Sequence, residues 1–126
     1  PRVGSFDAGW GSAYLARTVG EKRAREIWFF CQQYTARQAL EWGLVNRVVP
    51  GDKLMEEARA MASQAVALSP TALKHLKHAF NADSAHIFGQ VKMAADGLAA
   101  FVNSEEAAEG RNAFLEKRKP DFSRFR

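Results

Sequence analysis

The strongest chemical signal lies in the first eleven residues. Gly4-Ser5-Phe6-Asp7-Ala8-Gly9-Trp10-Gly11 carries a hydroxyl and a carboxylate two positions apart. That pair has the groups needed to position a substrate oxygen and to move a proton. Glycines at 4, 9 and 11 let the backbone approach a ligand closely. The same side chains have a structural use: either Ser5 or Asp7 can cap a helix that follows. On residue type alone, capping is the plainer use. The stretch is not a nucleophile elbow, a phosphate loop or a dinucleotide fingerprint. Near the other end, Phe114 and Lys117 stand three residues apart. On one helix they would offer an aromatic face and a cation to an adenine nucleotide. His75 and His78 share that spacing, but no Cys or carboxylate is placed to complete a metal site. They read as a solvated pair, and no metal is assigned. Trp10, Trp28 and Trp42 read as packing residues.

The elements that must hold these residues are mostly helical. Residues 10–19 and 21–32 look like two helices divided by Gly20. Thr35 and Gln38 form a capping box that opens a short helix ending at Gly43. Residues 44–49 are an apolar, β-branched run closed by Pro50-Gly51, the pattern of a strand. Asp52 is placed to cap a long amphipathic helix, and Ser69-Pro70 starts the next. An apolar stripe covers residues 85–102. Ser104 opens a last helix, whose final turn is expected to hold Lys117-Arg118-Lys119 before Pro120 ends it. So much apolar helix surface on 126 residues implies packing against something outside the chain.

Composition excludes several classes. At 47% hydrophobic and 25% charged, the chain is neither disordered nor low in core formers. No apolar run approaches the roughly 18 residues of a membrane span. The lone Cys31 allows no internal disulfide, and a cytoplasmic protein is the expected setting. The net charge of +4 favours anionic ligands. The basic residues are interrupted by acids and match no reading motif, so a nucleic-acid partner is not expected. The chain starts at Pro1 and runs straight into the loop motif, the look of a truncated or processed chain. Loss of an initiator Met is the simpler explanation.

Longer stretches resemble the crotonase (enoyl-CoA hydratase/isomerase) superfamily and, within it, the 1,4-dihydroxy-2-naphthoyl-CoA synthases of menaquinone biosynthesis. The likeness is carried by residues 1–11, Ala13-Tyr-Leu-Ala-Arg17, Lys22-Arg-Ala-Arg-Glu-Ile-Trp28, Gly43-Leu-Val-Asn-Arg-Val-Val-Pro50, Ser69-Pro-Thr-Ala-Leu73, Phe80-Asn-Ala-Asp83 and the tail from Glu109 to Phe122. It implies a mainly α chain, the helical C-terminal half of a crotonase-like α/β fold with one or two short strands. Residues 1–51 would hold the active-site loop, helices and strand; residues 52–126 would form a helical oligomerisation region. It further implies a lyase that closes an aromatic ring of a succinyl-benzoyl-CoA by intramolecular Claisen condensation. Asp7 would be its acid/base carboxylate, with Ser5 hydrogen-bonding the substrate beside it. Trp28 matches a tryptophan that holds bicarbonate in one subtype, and no cofactor is tightly bound. Phe114 and Lys117 match residues near the CoA adenine and phosphate, often presented to a neighbouring subunit. In the family, the oxyanion-hole glycines and most of the CoA pocket belong to an N-terminal half. This chain alone is therefore expected to be inactive and to assemble as a trimer or hexamer. One residue departs from the synthase pattern: Val102 stands where the family has a tyrosine. A related enoyl-CoA hydratase, a ring-opening acyl-CoA hydrolase and a non-catalytic oligomerising remnant are the alternatives.

Overall fold

The helix signals become helices in the computed structural model, which describes residues 1–7 and 9–126. Ala8 of the loop motif lies outside the described residues. Among the described residues there are seven α-helices: α1 Trp10–Val19, α2 Glu21–Phe30, α3 Ala36–Glu41, α4 Leu54–Val66, α5 Pro70–Asp83, α6 Phe88–Phe101 and α7 Glu105–Leu115. The mainly α reading of the chain holds. The capping box is present, with the Thr35 Oγ1 accepting from the Gln38 amide at 3.2 Å and the Gln38 Oε1 accepting from the Thr35 amide at 2.9 Å. Ser69 and Ser104 cap α5 and α7 by accepting the amides of Ala72 and Ala107 at 3.3 and 3.1 Å. Each cap satisfies one of the amide donors that a helix start leaves open.

Three local expectations are corrected. Residues 44–49 form no strand, and no strand occurs among the described residues. The amides of Leu44 and Val45 instead donate to the Ala39 carbonyl at the end of α3, at 2.8 and 3.3 Å. With no second strand to pair with, an apolar β-branched run has no ladder to join. Asp52 does not cap α4; it lies within a 3-10 turn, Gly51–Lys53, that leads into the helix. The last helix ends at Leu115, before the basic cluster. Lys117 adopts a left-handed conformation with φ 55°, and the Arg118 amide reaches back to the Ala113 carbonyl at 3.0 Å. That bond is the wrap of a Schellman-type C-cap, which satisfies orphan carbonyls by turning the chain away.

Residues 1–7 run between the last two helices on glycine contacts. A Cβ on Gly110 would lie 2.2 Å from the Gly4 nitrogen, and one on Gly4 would lie 2.7 Å from the Ala107 carbonyl oxygen. A Cβ on Gly9 would lie 3.2 Å from Val91 Cα in α6. Two of the three loop glycines therefore approach the protein's own helices. Phe6 packs on Phe101, with ring centroids 5.5 Å apart. Tyr14 and Ser84 share a hydrogen bond between their hydroxyls, and Arg17 meets Asp83 at 3.2 Å. The tail folds back through Glu109, which accepts from Arg118 at 2.5 and 2.8 Å and from the Asp121 amide at 2.8 Å. Those bonds, led by Arg118, hold the Glu109 carboxyl down to about 2.

The chain buries little of itself. Among the described residues the buried apolar side chains are Ala24, Ile87, Ala107 and Ala113. The accessible surface is 9911 Å², where a compact monomer of this mass exposes about 6,700 Å². The apolar stripes of α4 and α5 face outward, with Val66 84% and Phe80 78% exposed. No helix among the described residues is long and apolar enough to cross a membrane.

These contacts separate two glycines by sign. Gly110→Ala should destabilise by about 1–3 kcal/mol, because the new methyl meets backbone that cannot swing aside. Gly89→Ala in α6, where nothing lies within 4 Å, should stabilise by up to about 1 kcal/mol. Urea unfolding of both variants measures the difference, and equal effects would remove the loop–α7 contact as the cause.

Candidate active site

The start of α1 makes the candidate site. Its first amides point back into the loop, where the Asp7 carboxylate collects them. The Asp7 Oδ2 accepts from Gly9 at 2.8 Å and from Ser12 at 2.7 Å, and the Oδ1 accepts from Gly11 at 3.1 Å. Asp7 therefore does cap the helix, as one of the two sequence readings holds. Burial alone would push its carboxyl up. The Ser12 amide and hydroxyl, followed by the Gly9 and Gly11 amides, outweigh burial and hold it below its ordinary value. At neutral pH the group is an anion whose charge also suits the positive end of α1. Its Oδ1 is the less occupied oxygen, with one amide donor against two on Oδ2.

Trp28 lies on the same side. A Cβ on Gly11 would sit 2.7 Å from the Asp7 Oδ1 and 3.2 Å from the Trp28 Cζ2. Cζ2 and Nε1 are both bonded to Cε2, so this edge of the indole is the one that carries the N–H. The Trp28 Nε1 is buried and has no hydrogen-bond partner among the described residues. A buried donor without a partner costs about 1–3 kcal/mol. An open cavity of about 590 Å³ adjoins the indole, lined by Ser12, Arg17, Arg25, Trp28 and Gln90 among others.

The other expected residues are not gathered here. Ser5 is half buried and makes no hydrogen bond to Asp7 among the described residues. Phe114 is 67% exposed on α7. Lys117 lies past the end of that helix, exposed in its left-handed turn, so the two do not share one helical face as their spacing predicts. Neither makes a hydrogen bond or ion pair with Asp7 or Trp28 among the described residues. His75 and His78 are exposed, with ring centroids 6.4 Å apart. Sequence reasoning noticed that Gly11 is a glycine but missed what it adjoins; the contact with Trp28 crosses two helices and leaves no local signal.

Known proteins resemble this chain in sequence and in fold. The sequence matches the enoyl-CoA hydratase/isomerase family over residues 1–124. The structure is similar to a carnitinyl-CoA hydratase from Mycobacterium avium, with a TM-score of 0.86 and 28% identity, over 98% of this chain and 49% of that one. It is similar to an enoyl-CoA hydratase/isomerase from Pseudoalteromonas atlantica T6c, with a TM-score of 0.84 and 31% identity, over 97% of this chain and 50% of that one. It also resembles a methylmalonyl-CoA decarboxylase in complex with 2-nitronate-propionyl-CoA, with a TM-score of 0.77 and 31% identity, over 96% of this chain and 48% of that one. The chain spans about half the length of each.

The Asp7 cap has a pH signature. Its folded pKa is lowered, so its stabilisation is complete above the unfolded value of about 3.9 and is lost as pH falls through the lower folded value. At pH 7, Asp7→Ala should cost about 1 kcal/mol, as for other lost caps. That cost should shrink below about pH 4. Denaturant unfolding across a pH series tests this, and a cost that stays constant down to acid would remove the ionic contribution.

Proposed function

This chain belongs to the enoyl-CoA hydratase/isomerase family, and on that premise we propose that it is the C-terminal half of an acyl-CoA enzyme whose chemistry passes Asp7. The observation that carries the reading is the arrangement around Gly11: an amide-held carboxylate near the edge of an indole whose buried N–H has no partner among the described residues. The reaction that fits the loop motif is closure of the second ring of a succinyl-benzoyl-CoA. The carbon next to the thioester loses a proton. The enolate carbon bonds to the benzoate carboxyl carbon, and water leaves.

In this reaction Asp7 moves a proton at the closing ring, and Ser5 hydrogen-bonds the substrate beside it. Preorganised amide donors must stabilise the enolate oxygen, and those belong to the other half of the enzyme. Bicarbonate, when bound, supplies the base; Trp28 would hold it through its indole N–H, which has no partner among the described residues. The Asp7 anion close by is offset by its own amide donors, and Arg17 and Arg25 line the adjoining cavity. Phe114 and Lys117 would meet the CoA adenine and phosphate of a nucleotide bound mainly by a neighbouring subunit, and both are exposed.

One observation favours a second reading. Val102, just past α6, is an exposed apolar residue at the position where the ring-closing synthases carry a hydroxyl donor. An enoyl-CoA hydratase acting on a different acyl chain would not need that donor. A ring-opening acyl-CoA hydrolase or a non-catalytic remnant remains within the same family frame. In each case the outward faces of α4 and α5 would be covered by the other half or by further subunits, as a trimer or hexamer. The lone Cys31 suits a reducing, cytoplasmic setting.

The 126-residue chain alone should show no turnover of succinyl-benzoyl-CoA, since it brings no pair of enolate donors; measurable turnover by the pure chain would sink the reading. In the complete enzyme, Asp7→Asn should collapse kcat and change substrate affinity much less, because the carboxamide keeps its shape and cannot take a proton. Lys117→Ala should weaken CoA-thioester binding only a few-fold, with the loss fading as salt rises. Titration at two salt concentrations measures that effect, and identical affinities at low salt would leave Lys117 a helix terminator.

A further inference from the structure

We propose that Gly11 is a positioning residue, kept free of a side chain so that the Asp7 carboxylate can sit against the start of α1 beside the edge of the Trp28 indole. The proposal rests on the reading of Asp7 and Trp28 given above.

Backbone conformation does not explain a glycine here. Gly4, Gly9, Gly20 and Gly43 have φ of 66°, 101°, 82° and 72°, where an L side chain is strained. Gly11 is not among them; it lies in the first turn of α1, in ordinary helical backbone. Alanine is the better helix former at such a position. What glycine supplies is room. A methyl group would sit 2.7 Å from the Asp7 Oδ1, 3.3 Å from its Cγ and 3.2 Å from the Trp28 Cζ2. A free carboxylate would swing away from a methyl at little cost. This one is tied by three amides, of which the Gly11 amide is the longest at 3.1 Å. The overlap therefore falls on the bond to Oδ1 and on the indole edge. On the reading given above, the carboxylate is the group that meets the substrate, and a single methyl at residue 11 would displace it.

The test compares Gly11→Ala with Gly89→Ala, the same change in open space on α6. In the 126-residue chain, NMR follows the Asp7 carboxyl titration and the Trp28 indole N–H resonance. Gly11→Ala should raise the Asp7 midpoint and shift the Trp28 resonance; Gly89→Ala should do neither. In the complete enzyme, Gly11→Ala should lower kcat by about tenfold or more with KM changed by less than about threefold, as misplacement of a reacting group does. A folded Gly11→Ala variant with an unchanged Asp7 midpoint and Trp28 resonance overturns the proposal, and so does full kcat. If Gly11→Ala does not fold, the Asp7→Ala/Gly11→Ala pair decides. Recovery of folding in the double variant locates the collision at Asp7 and supports the proposal, and continued unfolding overturns it. If Asp7→Asn keeps full turnover while Gly11→Ala still moves the Asp7 midpoint, the catalytic reading of Asp7 fails and the positioning by Gly11 stands.

Discussion

Everything at the candidate site depends on one close approach of backbone to backbone, between Gly4 in the leading loop and Gly110 in α7. The two chains are near enough that a Cβ on Gly110 would fall 2.2 Å from the Gly4 nitrogen. Ala107, one turn away, is almost fully buried at 3% exposed. Small residues at these positions let the loop lie directly on the helix, and no large side chain intervenes. A second contact, Gly9 against Val91 of α6, fixes the loop again five residues later. Asp7 lies between these two points. Its position is therefore set by backbone on both sides, and its carboxylate is set by the amides of α1. Interiors packed this closely transmit small changes in volume instead of absorbing them.

That tight frame contrasts with the rest of the chain. α4 and α5 carry apolar stripes over nothing, and four small-to-medium apolar side chains make up the buried core of the described residues. The surface exceeds that of a compact monomer by about 3,200 Å². Large obligate interfaces bury about 1,000–2,500 Å² on each partner, so the excess is larger than one such interface. The chain spans about half the length of its relatives, and it leaves that much surface uncovered. The Trp28 N–H is buried without a partner among the described residues.

What could be read in the sequence was local. Thr35 with Gln38, and Ser69 before Pro70, mark helix starts because the cap bonds span only three residues. The mainly α architecture follows from patterns of the same short range; the family follows from the resemblance of longer stretches. Residues 44–49 misled because β-branched composition describes what a strand prefers and cannot supply its partner; here the run's first amides go to α3. Lys117 misled because helical spacing says nothing about a left-handed C-cap without a glycine to announce it. Gly4 and Gly110 are separated by most of the chain, as are Tyr14 and Ser84, and no periodicity links them. Asp7 was legible as either a cap or a catalytic group; its amide bonds show the cap, and the proton transfer proposed for it would use the same carboxylate.

Those two uses pull on the same carboxylate. Each amide that caps α1 through Asp7 stabilises the anion and so weakens it as a base. Every unit by which its pKa falls adds about 1.4 kcal/mol to the cost of leaving a proton on it. A carboxylate held this way is poorly suited to store a proton through a catalytic cycle. It is better suited to pass one on, taking it briefly and losing it readily to the next oxygen. The oxygen that could do this is Oδ1, which has one amide donor at 3.1 Å, while Oδ2 is closely held by two. A Cβ on Gly11 would lie 2.7 Å from Oδ1 and 3.2 Å from the Trp28 Cζ2. The helix cap thus sets how each carboxylate oxygen is held, and the missing side chain at residue 11 leaves the less held one its place.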